Sequence, residues 1–364
     1  MKLLGFKKTY TLPFQFEIPN TTEIILKKKS YPSSRIKFIK RYLYIKLKRQ
    51  KLLETYNILP EHQNILWINI SAPSLGDSLM DLSSRVLLGK RKIDLFTDQN
   101  NAIIYKDDDF FTSVFSNISS LGEKKYDLVI IDSFSTRSLY IKSQIALLTP
   151  FVAMFGYYNG PEVNRVLFSF HQMNKLLGYK KNETEINEIS KPSIFISKID
   201  QKIISSLDLP KSFIAIVVGG EWAFRTFNSW DLVIERLIKL DNKLDIVLIG
   251  SENGVSDANS LANKFEDYNL LNYVSKFTFN QTTELIKHAE FIICCDGGLM
   301  HAANAVDTPI VTLLAKLDSE MQLTEANICF SLYDDLNVNN ISILEILNGC
   351  KQAFNFVHNR LPNE

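Results

Sequence analysis

Short apolar runs recur along the chain, separated by polar or amphipathic stretches. Runs of this kind suit strands buried on both faces of a parallel sheet, with helices between them. In the first half they fall at 65–70, 92–96, 128–131 and 151–155, with helical patterns at 77–88, 137–148 and 164–177, the last closed by Gly178. A polar, poorly periodic stretch at 179–210 follows, and then the rhythm resumes. Strands are predicted at 213–218, 245–249, 273–277, 291–295 and 310–314, with helices near 229–239, 256–265 and 282–289. Repeated strand–helix alternation predicts an α/β chain with two doubly wound parallel-sheet domains. The boundaries expected are a basic N-terminal extension (1–62), a first domain (63–180), an interdomain linker (181–210), a second domain (211–340) and a C-terminal helix (341–364), for which the first domain is one surface to pack back toward.

The densest signal lies at 291–314, FIICCDGGLMHAANAVDTPIVTLL, which reads as strand, glycine turn, helix and strand. Asp296-Gly297-Gly298 forms the turn and Leu299 opens the helix, whose Ala302, Ala303 and Ala305 permit close packing on a sheet. Backbone N–H groups at such a helix start can hold a pyrophosphate. An ordinary strand-to-helix turn would look the same if this segment stood alone.

It does not stand alone. Asp-Gly-Gly-Leu-Met-His at 296–301, with Ala302-Ala303 and Thr308-Pro309 behind it, resembles the signature of glycosyltransferase family 9, the ADP-heptose:lipopolysaccharide heptosyltransferases. Three further segments are similar to the family in its order: ILWINISAPSLGD at 65–77, the strand, loop and helix of 213–237, and LDIVLIGS at 244–251. The resemblance covers roughly 64–350 and is patchy between these segments. It implies a GT-B fold, two Rossmann-like domains facing a cleft, with the acceptor on the first and the nucleotide sugar on the second.

Site residues follow from the matched positions. Asp77, past the end of the first strand in the family's Leu-Gly-Asp loop, is the expected catalytic base, with Ser74 and Gly76 in the same acceptor-side loop; capping the following helix is its alternative role. Arg225 stands where the family carries a phosphate-contacting Lys, after Gly219 and Gly220, which let backbone approach a ligand. Arginine keeps the charge and adds bidentate geometry, although the family's Lys-x-Trp-Pro is Arg225-Thr226-Phe227-Asn228 here. Gly297, Gly298 and Leu299 offer N–H groups to the pyrophosphate, Asp296 orients the turn or meets the sugar, and His301 is a donor-side candidate. Gly297 replaces the family's usual Thr or Ser, so a hydroxyl is missing there. Ser251 and Glu252 are placed to meet the nucleoside.

The resemblance implies an inverting, metal-independent transfer of heptose from ADP-heptose to a lipopolysaccharide or lipooligosaccharide core acceptor, with no cofactor beyond the donor. A relative using another nucleotide sugar or a protein acceptor is the first alternative. A GT-B scaffold without catalysis is the second. No Gly-x-Gly-x-x-Gly follows a predicted first strand, which argues against a nicotinamide dehydrogenase.

Composition changes this picture in one place. At 364 residues and net charge +1, the chain has room for two domains and no global pull toward nucleic acid. Cys294, Cys295, Cys329 and Cys350 show no Cys-x-x-Cys spacing and read as reduced packing residues, favouring a cytoplasmic protein. Signal-peptide and membrane-spanning patterns are absent from the sequence. Asp107-Asp108-Asp109 has an Asp-x-Asp spacing but reads as a solvated loop or a helix start, so no metal is expected. Charge, however, is uneven: 27–51 holds eleven basic residues and no acidic one, with Ile36, Ile39, Leu43 and Leu47 at helical spacing. Such a segment suits the anionic cytoplasmic face of the inner membrane, and equally a solvated helix packed by one face onto the first domain.

Overall fold

The computed structural model describes residues 9, 11–14, 31–122, 124–160 and 162–360. Lys27, Lys28 and Lys29 of the basic segment and most of 1–30 lie outside them. Two compact units result, Met1–Ser190 and Lys191–Glu364.

The first unit opens with helix α1 (Tyr31–Leu47), then strand β1 (Asn64–Asn69), α2 (Leu75–Asp81), β2 (Lys92–Thr97), α3 (Gln99–Tyr105), β3 (Ser113–Phe115), β4 (Leu128–Ser133), α4 (Thr136–Ile145), β5 (Phe151–Gly156), α5 (Arg165–Leu176) and α6 (Glu183–Ile189). The strands pair in parallel in the order β3-β2-β1-β4-β5. β1 and β4 sit centrally, and their middles, 65–68 and 128–131, are continuous apolar runs, because strands covered on both faces have no solvent side to populate with polar residues. The extension joins this unit: Phe38 and Ile45 of α1 enter the core with Leu66, Ile68, Val129 and Phe151, and residues 53–55 hydrogen-bond Phe151 on β5. Ile36, Ile39, Leu43 and Leu47, the residues at regular helical spacing, face solvent on the opposite side.

The second unit runs α7 (Lys198–Ser205), β6 (Ile214–Val217), α8 (Trp230–Leu240), β7 (Ile246–Ile249), α9 (Val255–Lys264), β8 (Leu270–Asn272), α10 (Phe279–His288), β9 (Ile292–Cys295), α11 (Gly298–Ala305), β10 (Ile310–Ala315), α12 (Ser319–Gln322), β11 (Cys329–Asp334) and α13 (Ile343–Arg360). Its parallel order is β11-β10-β9-β6-β7-β8. Alternate strand residues supply two cores. Ile214, Ile216, Leu248 and Ile293 meet α8, α9 and α13 on one face, while Ala215, Val247, Ile292 and Cys294 meet α10 and α11 on the other. Ile346, Cys350 and Ala353 of α13 belong to the first of these cores.

Three expectations are corrected. The strand at 273–277 is a turn, held by positive φ at Ser275 (60°), and pairing falls to the preceding Leu270–Asn272. Edge strands β3 and β11 had no counterpart in the apolar pattern, because each is only partly buried. Asp108 is no solvated loop residue: it is buried against Arg85, whose Nη2 donates to it at 2.8 Å.

Candidate active site

In a doubly wound sheet, ligands meet the loops at the C-terminal ends of the strands where connections diverge to opposite sides. Those points lie between β1 and β4 in the first unit and between β6 and β9 in the second.

Between β1 and β4, the loop from Ile70 to Ser74 is tied down by Asp132. Its Oδ2 accepts from the N–H groups of Ile70 (2.9 Å) and Ser71 (2.7 Å), and its Oδ1 accepts from the Ser138 hydroxyl (2.5 Å). Ser74 then caps α2, taking the Asp77 N–H at 3.2 Å and donating its hydroxyl to Asp77 Oδ2 at 2.6 Å. Asp77 is therefore in the first turn of α2 and the cap is Ser74, which leaves the carboxylate of Asp77 partly exposed rather than consumed by the helix end. Arg165 of α5 stands beside it. The guanidinium makes a two-point bond to Asp81, Nε to Oδ1 at 2.9 Å and Nη2 to Oδ2 at 2.6 Å, and its Nε lies 3.5 Å from Asp77 Oδ1. Burial, opposed by Arg165, lifts the Asp81 carboxyl to about 6. Ser74, Gly76 and Asp77 thus occupy one turn beside a carboxylate–guanidinium pair.

Between β6 and β9, Arg225 and Asp296 meet: Arg225 Nη1 donates to Asp296 Oδ2 at 2.9 Å. Arg225 sits in a short 3-10 turn, Ala223–Arg225, after the Gly219-Gly220 loop, and Asp296 directly follows β9. A charge-assisted pair of this kind fixes the direction of the guanidinium while leaving further N–H donors for an anion. Gly297 caps α11 with extended backbone (φ 172°), and a β-carbon there would meet nothing within 4 Å. Gly298 and Leu299 form the helix start, and His301 is buried one turn in, among Met300, Ala302 and Ala303.

The loops after β6 and β7 interlock. Gly219 has φ +92°, and a β-carbon on it would lie 2.7 Å from Gly254 Cα. Asn253 Nδ2 donates to Gly220 O at 2.8 Å, while the Ser251 hydroxyl donates to Asn253 Oδ1 at 2.8 Å. Ser251 and Glu252 are exposed on this rim.

Two basic residues escaped the sequence reading. Arg165 lies 88 residues from Asp77 along the chain, so no local spacing announces it. Lys316 follows β10 in a left-handed conformation (φ 68°), and its Nζ rests 3.7 Å from the centroid of Phe224, the ring that Arg225 also borders at 5.9 Å. In the sequence Lys316 simply ends the apolar run of β10, and no local spacing marks it. Among the described residues, no group of three His, Cys, Asp or Glu side chains could hold a metal.

The model of glycosyltransferase family 9 (heptosyltransferase) matches residues 144–329, just over half of the chain. The chain belongs to glycosyltransferase family 9. It is thus a heptosyltransferase-family glycosyltransferase. Solved structures share the fold at low identity. A family 9 protein from Veillonella parvula has a TM-score of 0.68 at 14% identity, over 82% of this chain and 99% of its own. The ADP-heptose LPS heptosyltransferase II of E. coli gives 0.63 at 17%, over 81% and 99%, and the E. coli heptosyltransferase WaaC with ADP gives 0.59 at 16%, over 80% and 98%. Likeness at these identities is one of fold, the two parallel-sheet domains of GT-B. No curated protein matches the sequence.

Proposed function

We propose that this family 9 enzyme moves heptose from ADP-heptose onto a lipopolysaccharide or lipooligosaccharide core acceptor at the cytoplasmic face of the membrane. The transfer proceeds with inversion and without a metal. The contact between Arg225 and Asp296 carries the reading. It gives the second unit an oriented cation beside a bare helix start, the arrangement that a departing nucleoside diphosphate requires.

In the proposed reaction Asp77 accepts the proton of the acceptor hydroxyl as that oxygen attacks the anomeric carbon. The bond from that carbon to the β-phosphate oxygen breaks, and its electron pair leaves with ADP. Arg225, Lys316 and the N–H groups of Gly298 and Leu299 offset the charge that develops on the phosphate. Arg165, bound to Asp81, holds the Asp77 carboxylate in one direction. Ser251 and Glu252 meet the ribose and base.

One observation supports a second reading, a different nucleotide sugar on the same fold. The position where the family usually has Thr or Ser is Gly297, with open space around it. Calorimetric titration with ADP, UDP and GDP separates the two. Preference for ADP, weakened in Arg225→Ala, supports the heptose donor; preference for UDP or GDP moves the assignment to another donor, and failure to bind any nucleotide removes both.

A further inference from the structure

Helix α1 is apolar on two faces. Ser34, Phe38 and Ile45 are buried against the first unit, and Arg41 donates to the carbonyls of Tyr157 and Tyr158 at 3.4 Å each. On the other side Ile36, Ile39, Leu43 and Leu47 follow one another at three- and four-residue steps and share one stripe of the helix. All four are exposed, Ile36 to 65% and Leu47 to 80%. More large aliphatic side chains are exposed beyond the helix. Leu52, 88% exposed, follows in the 3-10 turn Gln50–Leu52, and Leu147 and Leu148 are exposed in the loop after α4. Gln50 joins these segments: its Nε2 donates to Leu147 O at 3.2 Å and its Oε1 accepts from buried Lys142 at 2.6 Å.

Charge surrounds this surface with one sign. Arg35, Lys37, Lys40, Lys46, Lys48 and Arg49 are exposed around the stripe, and no acidic residue occurs from 31 to 53. A nucleic acid has no use for a row of large aliphatic side chains between cations. A second copy docked through the same face would bring these six cations against the same six. An anionic bilayer satisfies both features at once, because the aliphatic side chains enter the acyl boundary while the lysines reach the headgroups.

We propose that the outward stripe of α1, with Leu52, Leu147 and Leu148, is a docking surface for an anionic lipid bilayer, and that the inward face of the same helix fixes this surface to the acceptor-side unit. For its purpose this rests on the lipid-linked acceptor of the proposed function, while the affinity of the surface for lipid does not depend on that acceptor. The full-length protein is expected to float with vesicles of phosphatidylethanolamine and phosphatidylglycerol, not with phosphatidylcholine alone, and to be released by salt. Ile36→Asp combined with Leu43→Asp should lower the partition coefficient by about tenfold or more, and Lys37→Glu with Lys40→Glu by a similar factor. These side chains are exposed, so the variants should melt like the wild type and titrate with ADP unchanged.

Wild-type protein that ignores anionic vesicles, or variants that partition equally well, overturns the docking surface. So does a dimer in size-exclusion chromatography that Ile36→Asp converts to monomer. Vesicle binding that persists when ADP binding is absent upholds the surface and removes the donor assignment instead.

Discussion

The two strand-to-helix turns that hold the candidate residues, one in each unit, are built on opposite principles. After β1, the turn is crowded: Ser74 caps α2, Asp132 holds the loop, and Asp77 leans on Ser74 and Arg165. After β9, the turn is bare: Gly297 caps α11 without a side chain, with open space where a β-carbon would go, and the nearby cation comes from another loop. A helix start can either spend its N–H groups on its own side chains or leave them for a ligand. The first arrangement suits a carboxylate that must point one way. The second suits an anion that arrives from outside.

Breaking the crowded turn at Asp77, the proposed base, has the largest expected effect. Asp77→Asn should lower kcat by about 10²–10⁴-fold with donor affinity unchanged, read by steady-state kinetics alongside ADP titration. Next, Arg225→Ala should weaken ADP binding by about 10–100-fold, while Arg225→Lys retains part of it, since a point charge lacks the fork. Ser74→Ala removes a cap and should cost about 1 kcal/mol of stability, seen as a lower Tm, whereas Gly297→Ser, which has room for its side chain, should leave Tm unchanged and hold ADP as well or better. A fall in Tm for Gly297→Ser would erase the contrast between the two turns.

The smallest effect is a slope. Asp81 is held to about 6, above its unfolded value of 3.8, so the stability this group contributes is present below the unfolded value and is lost as pH rises through about 6. Asp81→Asn should flatten Tm against pH across that window.

Central strands were legible because a strand covered on both faces must be a continuous apolar run, and β1, β4, β6, β7, β9 and β10 are such runs. Edge strands β3 and β11 are short or only partly buried, form no continuous apolar run, and disappear into the background. Helix α1 shows a different limit. Ile36, Ile39, Leu43 and Leu47 carry the cleaner periodicity, yet Phe38, Ile45 and small Ser34 take the buried face, because the fit of a large ring against Tyr157 decides and spacing does not. In the site, Arg225 and Asp296 could be named from local motifs and do touch. Arg165 and Lys316 could not, since each reaches its place only through the folded sheet.

Helix α13 sets an order of events during synthesis. The first unit has all five strands of its sheet by residue 156, and α1 lies at its start, so its core can close while the rest of the chain is still being made. The second unit has all six of its strands by residue 334, but one of its two faces waits for Ile346, Cys350 and Ala353. Until those residues emerge, Val311 and Leu313 of β10 lack part of their cover, and the nascent second sheet presents an apolar face for which a chaperone would be the natural temporary cover.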